Sequence, residues 1–511
     1  MPLTLADALR QREGREYVCP GETAAISREV HLSRMAAFYP TCQRCPHNLD
    51  RGTLPVTLID DSVNSVQPRP ATELFEQRGL RGVYLNEITR EVAESLACSL
   101  GSLLWDGVTR RGRSVDDDRA DDSPSLQAPR VVVSRDARPL STDILVGVVR
   151  GLRRMGCEVI DIGDAPRPVL DFAVYYLRTT AGVHITGAPK GSAWTGIDVV
   201  GMDGVPWSLT QLPADEVAGD GAHVRPASPA DQHLPDGQLA AWRRRHIEPQ
   251  SRPSRHAGTL EFQEIANAHA AELQRTLHGL PECKVGLINV PVSSQRRLDR
   301  LFADRRGGLV RIEGVTLPLG GQTRADVPLQ FDAHEASGGQ FDPPGMRSAS
   351  TGACGRGHQP LQIDVTAGVR RQIRTELQTA GAPFAIAVGS DGQQLHLFDE
   401  RGQLVPPNAW LVRLSDFLAR RLGTHPIIVG RSVPSVIRGR LTAHGIEVVT
   451  TADSDELLVR TMLERGGLLA TDGSGRVWLN DHYPCCDPLV LLTWLIRCHL
   501  AAPRPLSQWK M

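Results

Sequence analysis

The sequence predicts an α/β protein of three tandem α/β/α domains, with mixed, mainly parallel sheets, behind a short N-terminal extension that carries cysteine and histidine. Three observations point there. The chain has 511 residues, and at ~100–200 residues per domain that makes about three cores. Apolar residues are 41 % and charged residues 23 % of the chain, which suits folded domains and argues against a largely disordered or fibrous one. Short apolar strands alternate with segments of helical periodicity, the pattern of sheets covered on both faces.

Charge sets a negative constraint. The 57 basic and 58 acidic side chains nearly cancel, so no global field points to nucleic acid or an anionic membrane. The longest C-terminal apolar run, Leu489–Ile496, falls far short of the ~20 residues of a membrane span. The N-terminus (MPLTLADALRQREGREY) is charged and lacks the apolar segment of a secretory signal. A cytoplasmic location is expected.

In chain order, residues 1–65 form the extension, with a helix over 23–38, a Cys/His turn and the short strand TLPVTLID. A first domain is expected over 66–215. Glu87–Leu104 has helical spacing, and the polar, acidic stretch 109–128 reads as a surface loop. Strand Arg130–Ser134, helix 141–155 with Ser141 as N-cap, strand Glu158–Gly163, helix 167–178 and strand Gly182–Thr186 follow. Residues 205–257 are rich in Pro, Asp, Gly and Arg and read as loop, with a linker over 216–257. The second domain, 258–404, is expected to hold helix 261–278, strand 284–290 and helix 294–303. A long insert over 319–360 follows, then helix 365–380 and strands 384–388 and 395–399. The third, 405–511, holds helix 408–421, strand 426–430, helix 432–444, strand 446–450, helix 454–465 and an apolar helix over 487–500.

Ten cysteines at this length are not a disulfide framework. Cys98, Cys157 and Cys498 sit in apolar patterns, as buried thiols do. Cys42 and Cys45, with His47 beside them, differ: thiolate and imidazole ligands lie close together, and Cys19 or His31 could complete a tetrahedron around a structural Zn²⁺. The alternative is a loop with two reduced thiols. A zinc-bearing extension would serve as a protein-interaction module.

Four stretches carry a family signal. They are Phe75-Glu-Gln-Arg-Gly79-Leu80-Arg81-Gly82, Val131-Val-Val-Ser-Arg135-Asp136-Ala-Arg138-Pro-Leu-Ser141 through Gly196-Ile-Asp-Val-Val-Gly, Ile386-Ala-Val-Gly389-Ser390-Asp391-Gly392-Gln393-Gln394, and Thr471-Asp472-Gly473-Ser474-Gly475-Arg476. In that order they resemble the F-G-T-x-G-I-R-G opening, the G-R-D-T-R-x-S-S segment with the catalytic loop, the D-G-D-x-D-R metal loop and the G-E-x-S-G-H sugar loop of the α-D-phosphohexomutases, the phosphoglucomutase/phosphomannomutase family. The resemblance covers roughly 70–215, 258–404 and 405–500. It implies a four-domain fold that moves a phosphoryl group between sugar O1 and O6 through a phosphoserine held near Mg²⁺.

The residues at the chemical positions differ. The family loop T-A-S-H-N-P reads Thr186-Gly187-Ala188-Pro189-Lys190-Gly191 here, so Ala188 stands at the serine position. A methyl group has no lone pair with which to attack phosphorus, and losing the nucleophile of a concerted site costs about 10⁶ in rate. In the metal loop only Asp391 remains, with Gly389, Gln393 and Gln394 at the other positions. One carboxylate is a poor Mg²⁺ site, so the family's Mg²⁺ is not expected to bind. Ser192, four positions beyond Ala188, is the substitute nucleophile to weigh, although a Ser in such a loop is ordinarily a turn residue.

More survives where a ligand would be read. The resemblance puts Arg81, Arg135, Asp136 and Arg138 near the first sheet's C-terminal edges, where α/β folds hold ligands, and Arg forks suit phosphate oxygens. Lys190, Asp472, Ser474 and Arg476 join them by the same comparison. The alternative is that Arg135, Asp136 and Arg138 cap a helix and pair with each other. Thirty-six residues follow Gly475, and the family's fourth-domain loop R-P-S-G-T-E-P does not occur, so a fourth domain is not expected. Two functions follow. One is a non-catalytic, sugar-phosphate-binding or regulatory relative with a protein partner. The other is an active intramolecular phosphotransferase using a non-standard nucleophile.

Overall fold

The computed structural model describes residues 17–19, 23–36, 42, 45–48, 50, 69–112, 127–191, 193–209, 237–248, 254–280, 282–288, 290–302, 309–312, 315, 317, 365–423, 425–501 and 503–509. The first of these residues form the hairpin β1 (Tyr17–Val18) and β2 (Ala25–Ile26) and helix α1 (Arg28–Ala36). That helix is shorter than the 23–38 expected, because 25–26 pair as strand. The expected strand TLPVTLID lies outside the described residues, as does the 319–360 insert.

Seven strands make the first sheet: β3 (Phe75–Glu76), β4 (Gly79–Val83), β5 (Arg130–Arg135), β6 (Glu158–Asp164), β7 (Ala181–Ile185), β8 (Trp194–Gly201) and β9 (Leu260–Phe262). Their order is β3-β4-β8-β7-β5-β6-β9, parallel from β7 to β9 and antiparallel from β7 to β3. The central parallel strands β5 and β7 are apolar runs of the sequence, buried on both faces as such strands are, whereas the edge strand β9 is exposed. Helices α2 (Arg90–Gly112), α3 (Pro139–Arg154) and α4 (Arg167–Tyr176) cover the sheet, with α5 (Gln238–Ile247) packed on α2. Gly147 and Gly151 let α2 and α3 approach closely, since a Cβ at either would lie 2.2–2.3 Å from a carbonyl oxygen of α2's first two turns.

The second sheet joins β10 (Val285–Ile288), β11 (Leu309–Ile312), β12 (Ala385–Val388), β13 (Leu395–Phe398) and β14 (Leu404–Val405), in the order β11-β10-β12-β13-β14. The third joins β15 (Ile427–Gly430), β16 (Val448–Thr451), β17 (Leu469–Thr471), β18 (Val477–Asn480) and β19 (Pro484–Cys485), in the order β16-β15-β17-β18-β19. The two orders are the same path. The first sheet contains it too, as β6-β5-β7-β8. In every copy the third strand turns back into the fourth through a hairpin: β7 to β8, β12 to β13, β17 to β18.

Helices α6 (Ala266–Leu277), α7 (Val292–Phe302) and α8 (Ala367–Ala380) accompany the second sheet, and α9 (Pro407–Leu422), α10 (Ser435–Ala443), α11 (Asp455–Arg465) and α12 (Pro488–Ala501) the third. One contiguous apolar core runs through all three units, from Val132 and Leu170 through Leu287 and Ile386 to Val429 and Leu495. Helix α12 is apolar nearly all round because it is enclosed, touching α6, α9 and β18.

Several expectations are corrected. Ser141 is not an N-cap: α3 starts two residues earlier at Pro139, whose fixed φ suits the first turn, and the Ser141 hydroxyl donates to Asp136 Oδ1. Residues 260–262 are strand, so the helix expected from 261 begins at Ala266. The stretch read as loop over 205–257 contains α5, whose Trp242 is wholly buried against Phe75.

Candidate functional site

The three equivalent hairpin turns are the three loops singled out by sequence. Residues 186–191 follow β7, residues 389–394 join β12 to β13, and residues 472–476 join β17 to β18. They meet. Gln394 Nε2 donates to the Ser474 carbonyl at 3.2 Å, Leu395 N to the Gly475 carbonyl at 3.1 Å, and Gly392 packs on Pro166, just ahead of α4.

In the first loop Ala188 is buried, 1 % exposed, and its N–H donates to Thr186 Oγ1. Two arginines fasten the loop's carbonyls. Arg81 Nε donates to Ala188 O at 2.8 Å. Arg138 Nη1 donates to Gly191 O and Trp194 O, and its Nη2 to Lys190 O, at 2.9–3.0 Å. Arg81 also forks onto Asp198 at 2.5 and 3.0 Å. Both guanidiniums, expected at a ligand's phosphate, donate to the protein's own backbone. Asp136 accepts from Arg138 N and Ser141 Oγ and pairs with Arg138 Nε at 3.3 Å, the capping and pairing arrangement. Arg135 pairs with Asp164 at 2.7 Å. Lys190 is partly exposed, 3.4 Å from Glu76 and 5.2 Å from the Trp194 ring centre. Ser192 lies outside the described residues. Beneath the loop, His184 Nδ1 and Ser134 Oγ are 2.8 Å apart and both buried. Burial lowers the imidazole to about 4, so the ring is a neutral core group.

The second loop holds the position of a divalent-cation loop. Asp391 Oδ1 accepts from the N–H groups of Gln393 and Gln394, at 2.9 and 3.1 Å, so the carboxylate closes its own turn. Gln394 turns its amide donor toward Ser474. That leaves one carboxylate where Mg²⁺ favours several hard oxygens, and the donor set does not fit the ion.

The third loop is a charge network. Asp472 Oδ1 accepts from Ser474 N and Oγ, at 3.0 and 2.6 Å; Oδ2 accepts from Arg78 Nη2 at 2.9 Å and Arg476 Nη2 at 2.6 Å. Arg476, 1 % exposed, forks onto Asp455 at 2.7 and 2.8 Å and lies over Trp478. Burial alone would raise the Asp472 carboxyl, but Arg476 and Arg78 outweigh it and hold it well below the usual range. With both oxygens doubly engaged, Asp472 and Ser474 face the protein's own groups. Nearby, Arg167 is buried, donating from Nε to Asp171 at 2.7 Å and lying 3.7 Å from Asp198.

Arg78, Arg167, Asp198 and Asp455 were not singled out by sequence reasoning. Arg78 carried a local hint beside Gly79. Asp198 lay within the quoted stretch Gly196-Ile-Asp-Val-Val-Gly without a role, and Asp455 sat in a helix pattern with nothing to mark it.

In the extension, Cys19, Cys42 and Cys45 are all buried. His47 N donates to Cys45 Sγ at 3.5 Å, and Arg34 donates to Cys19 Sγ at 3.3 Å. The His31 ring stacks on Tyr17 and meets the Asp50 carbonyl at 3.0 Å. Among the described residues no three His, Cys, Asp or Glu side chains converge as a metal site would require.

Comparison with known proteins places this geometry. Residues 120–214 match the family described as phosphoglucomutase/phosphomannomutase, alpha/beta/alpha domain I. The chain is 31 % identical over 411 residues to a phosphoglucomutase/phosphomannomutase of Thermococcus kodakarensis, covering 80 % of this chain and 73 % of that one. It is 30 % identical over 134 residues to a probable phosphoglucosamine mutase of Pyrococcus horikoshii, 26 % of this chain and 25 % of that one. Among solved structures, a phosphoglucomutase/phosphomannomutase family protein of Burkholderia thailandensis superposes with a TM-score of 0.58 at 18 % identity, over 86 % of this chain and 80 % of that one. A putative phosphomannomutase of Thermus thermophilus gives 0.58 at 16 %, over 87 % and 83 %. These two speak to the fold.

Proposed function

Because this chain belongs to the phosphoglucomutase/phosphomannomutase family, we propose that it is a sugar-phosphate-binding or regulatory member that does not itself carry the phosphoryl group. Its place would be in carbohydrate metabolism, in the cytoplasm and beside a protein partner. The observation that carries the reading is Ala188. A buried methyl group occupies the tip of the loop after β7, fastened by Arg81 and Arg138, and a carbon without a lone pair cannot accept a phosphoryl group.

Two further features support it. Asp391, the lone carboxylate of the second loop, is spent on that loop's amides. Asp472 and Ser474 engage each other and two arginines rather than facing outward. An anion at the rim would meet Lys190 and Arg135, whose side chains keep 40 % and 22 % of their exposure. Each already has a carboxylate neighbour, so binding there would be weak and easily screened.

Mass spectrometry after incubation with glucose 1,6-bisphosphate tests the reading. The intact chain is expected to keep its mass. A gain of about 80 Da, one phosphoryl group on a side-chain oxygen, would replace the reading with an active phosphotransferase whose nucleophile is not at position 188. Thermal-shift screening against hexose phosphates tests the binding half, since a ligand of the folded state raises the melting temperature.

A further inference from the structure

A separate cluster of cations lies on α8, beside the end of β13 opposite the 389–394 loop. Arg370, Arg371 and Arg374 are exposed on its first two turns. No other group, among the described residues, gives any of the three side chains a hydrogen bond or an ion pair. The helix itself is anchored, with Ile373 and Leu377 buried on its inner face.

A fourth guanidinium is brought to the same place by the turn after β13. The buried Asp399 accepts through Oδ1 from Arg401 N and Gln403 N, at 3.0 and 2.8 Å. Gly402 has φ +72°, and a Cβ there would lie 2.3 Å from the Arg370 carbonyl oxygen. Only glycine lets the turn press so close to the helix. Arg401 is thereby set beside the three helix arginines. The nearest carboxylate, Glu400, is 3.7 Å from it and is itself held by Ser507 N and Oγ.

These four arginines, with Ala367 and Gln403, line an open hollow of about 310 Å³, and among the described residues no acidic side chain lines it. Four like charges around one concavity make a strongly positive local potential. Guanidinium forks match oxyanions bidentately. The volume is at the lower end of small-ligand sites, which run from ~300 to 1,000 Å³; a groove for a polymer would continue past the helix. We propose that this hollow binds a small molecule carrying two phosphoryl groups, as an anhydride or as a bis-ester, independently of the cleft.

Titration calorimetry of the full chain at low ionic strength tests this, with inorganic pyrophosphate and fructose 1,6-bisphosphate as the anhydride and ester probes. At least one of the two is expected to bind at a site distinct from the cleft, more weakly as salt rises. The double variant R371Q/R374Q, which removes exposed and unpaired side chains, is expected to melt with the wild type and lose about tenfold or more in affinity. K190A, at the cleft, is expected to bind as the wild type does. The proposal is overturned if neither probe binds, if R371Q/R374Q binds unchanged, if K190A abolishes binding, or if a single-stranded oligonucleotide binds more tightly than both probes.

Discussion

Three carbonyl oxygens of the segment from Lys190 to Trp194 accept from the one guanidinium of Arg138, which makes this residue a sensitive probe of the loop. Arg138→Ala leaves partly buried acceptors unmade and is expected to lower the unfolding free energy by roughly 2–4 kcal/mol in urea titrations. Arg138→Lys recovers only part of that, because an ammonium cannot span the fork's positions. Acid sensitivity also begins with single residues. Burial lowers both His184 and His396 to about 4, whereas an unfolded imidazole titrates near 6.5. The unfolded chain therefore takes up those protons first, so stability is full above about pH 6.5 and declines as the pH falls toward 4. Melting curves between pH 7 and 4 should show that slope, and H184N/H396N should flatten it. The carboxylates held low by arginine, Asp472 among them, contribute stability that is lost only at more acid pH, as the pH falls from the ordinary carboxylate range through their lowered values.

At the scale of elements, the close crossing of α2 and α3 rests on absent side chains. A Cβ at Gly151 would sit 2.3 Å from the Glu94 carbonyl oxygen, so Gly151→Ala should force the helices apart and cost about 1–3 kcal/mol by thermal or urea unfolding. Strands such as Arg130–Arg135 and Ile427–Gly430 were readable in the sequence because both faces are buried and the apolar run is unbroken. Two antiparallel strands of the first sheet were not. Gly79–Val83 (GLRGV) and Trp194–Gly201 (WTGIDVVG) mix glycine and charge with apolar residues, and their strand state comes from pairing with each other and with β7. Helix α5 was hidden by its basic composition, since the buried Trp242 that docks it looks like any loop tryptophan until α2 is beside it. The repeated hairpin, which puts the three loops at equivalent positions of their sheets, appears only once the strand orders are compared.

For the whole molecule, the first and third units are joined by Arg78, 394 residues from the Asp472 it bonds, and by Ser208 with Ser454 and Glu456. The substitutions at 188 and in the 389–394 loop were visible in the sequence, because the loss of a nucleophile or a carboxylate is a property of one position. The ion pairs around these loops were not visible, because pairs such as Arg81 with Asp198 or Arg78 with Asp472 exist only after folding. Arg476→Met should cost about 3–5 kcal/mol, since it leaves Asp455 and Asp472 short of a buried partner, and hydrogen exchange should show the 472–476 loop opening. The proposed absence of turnover is tested by supplying the purified chain with glucose 1-phosphate, Mg²⁺ and a trace of glucose 1,6-bisphosphate and following glucose 6-phosphate through a coupled dehydrogenase. No rate above the enzyme-free blank is predicted; turnover at the level of ordinary mutases would contradict the account.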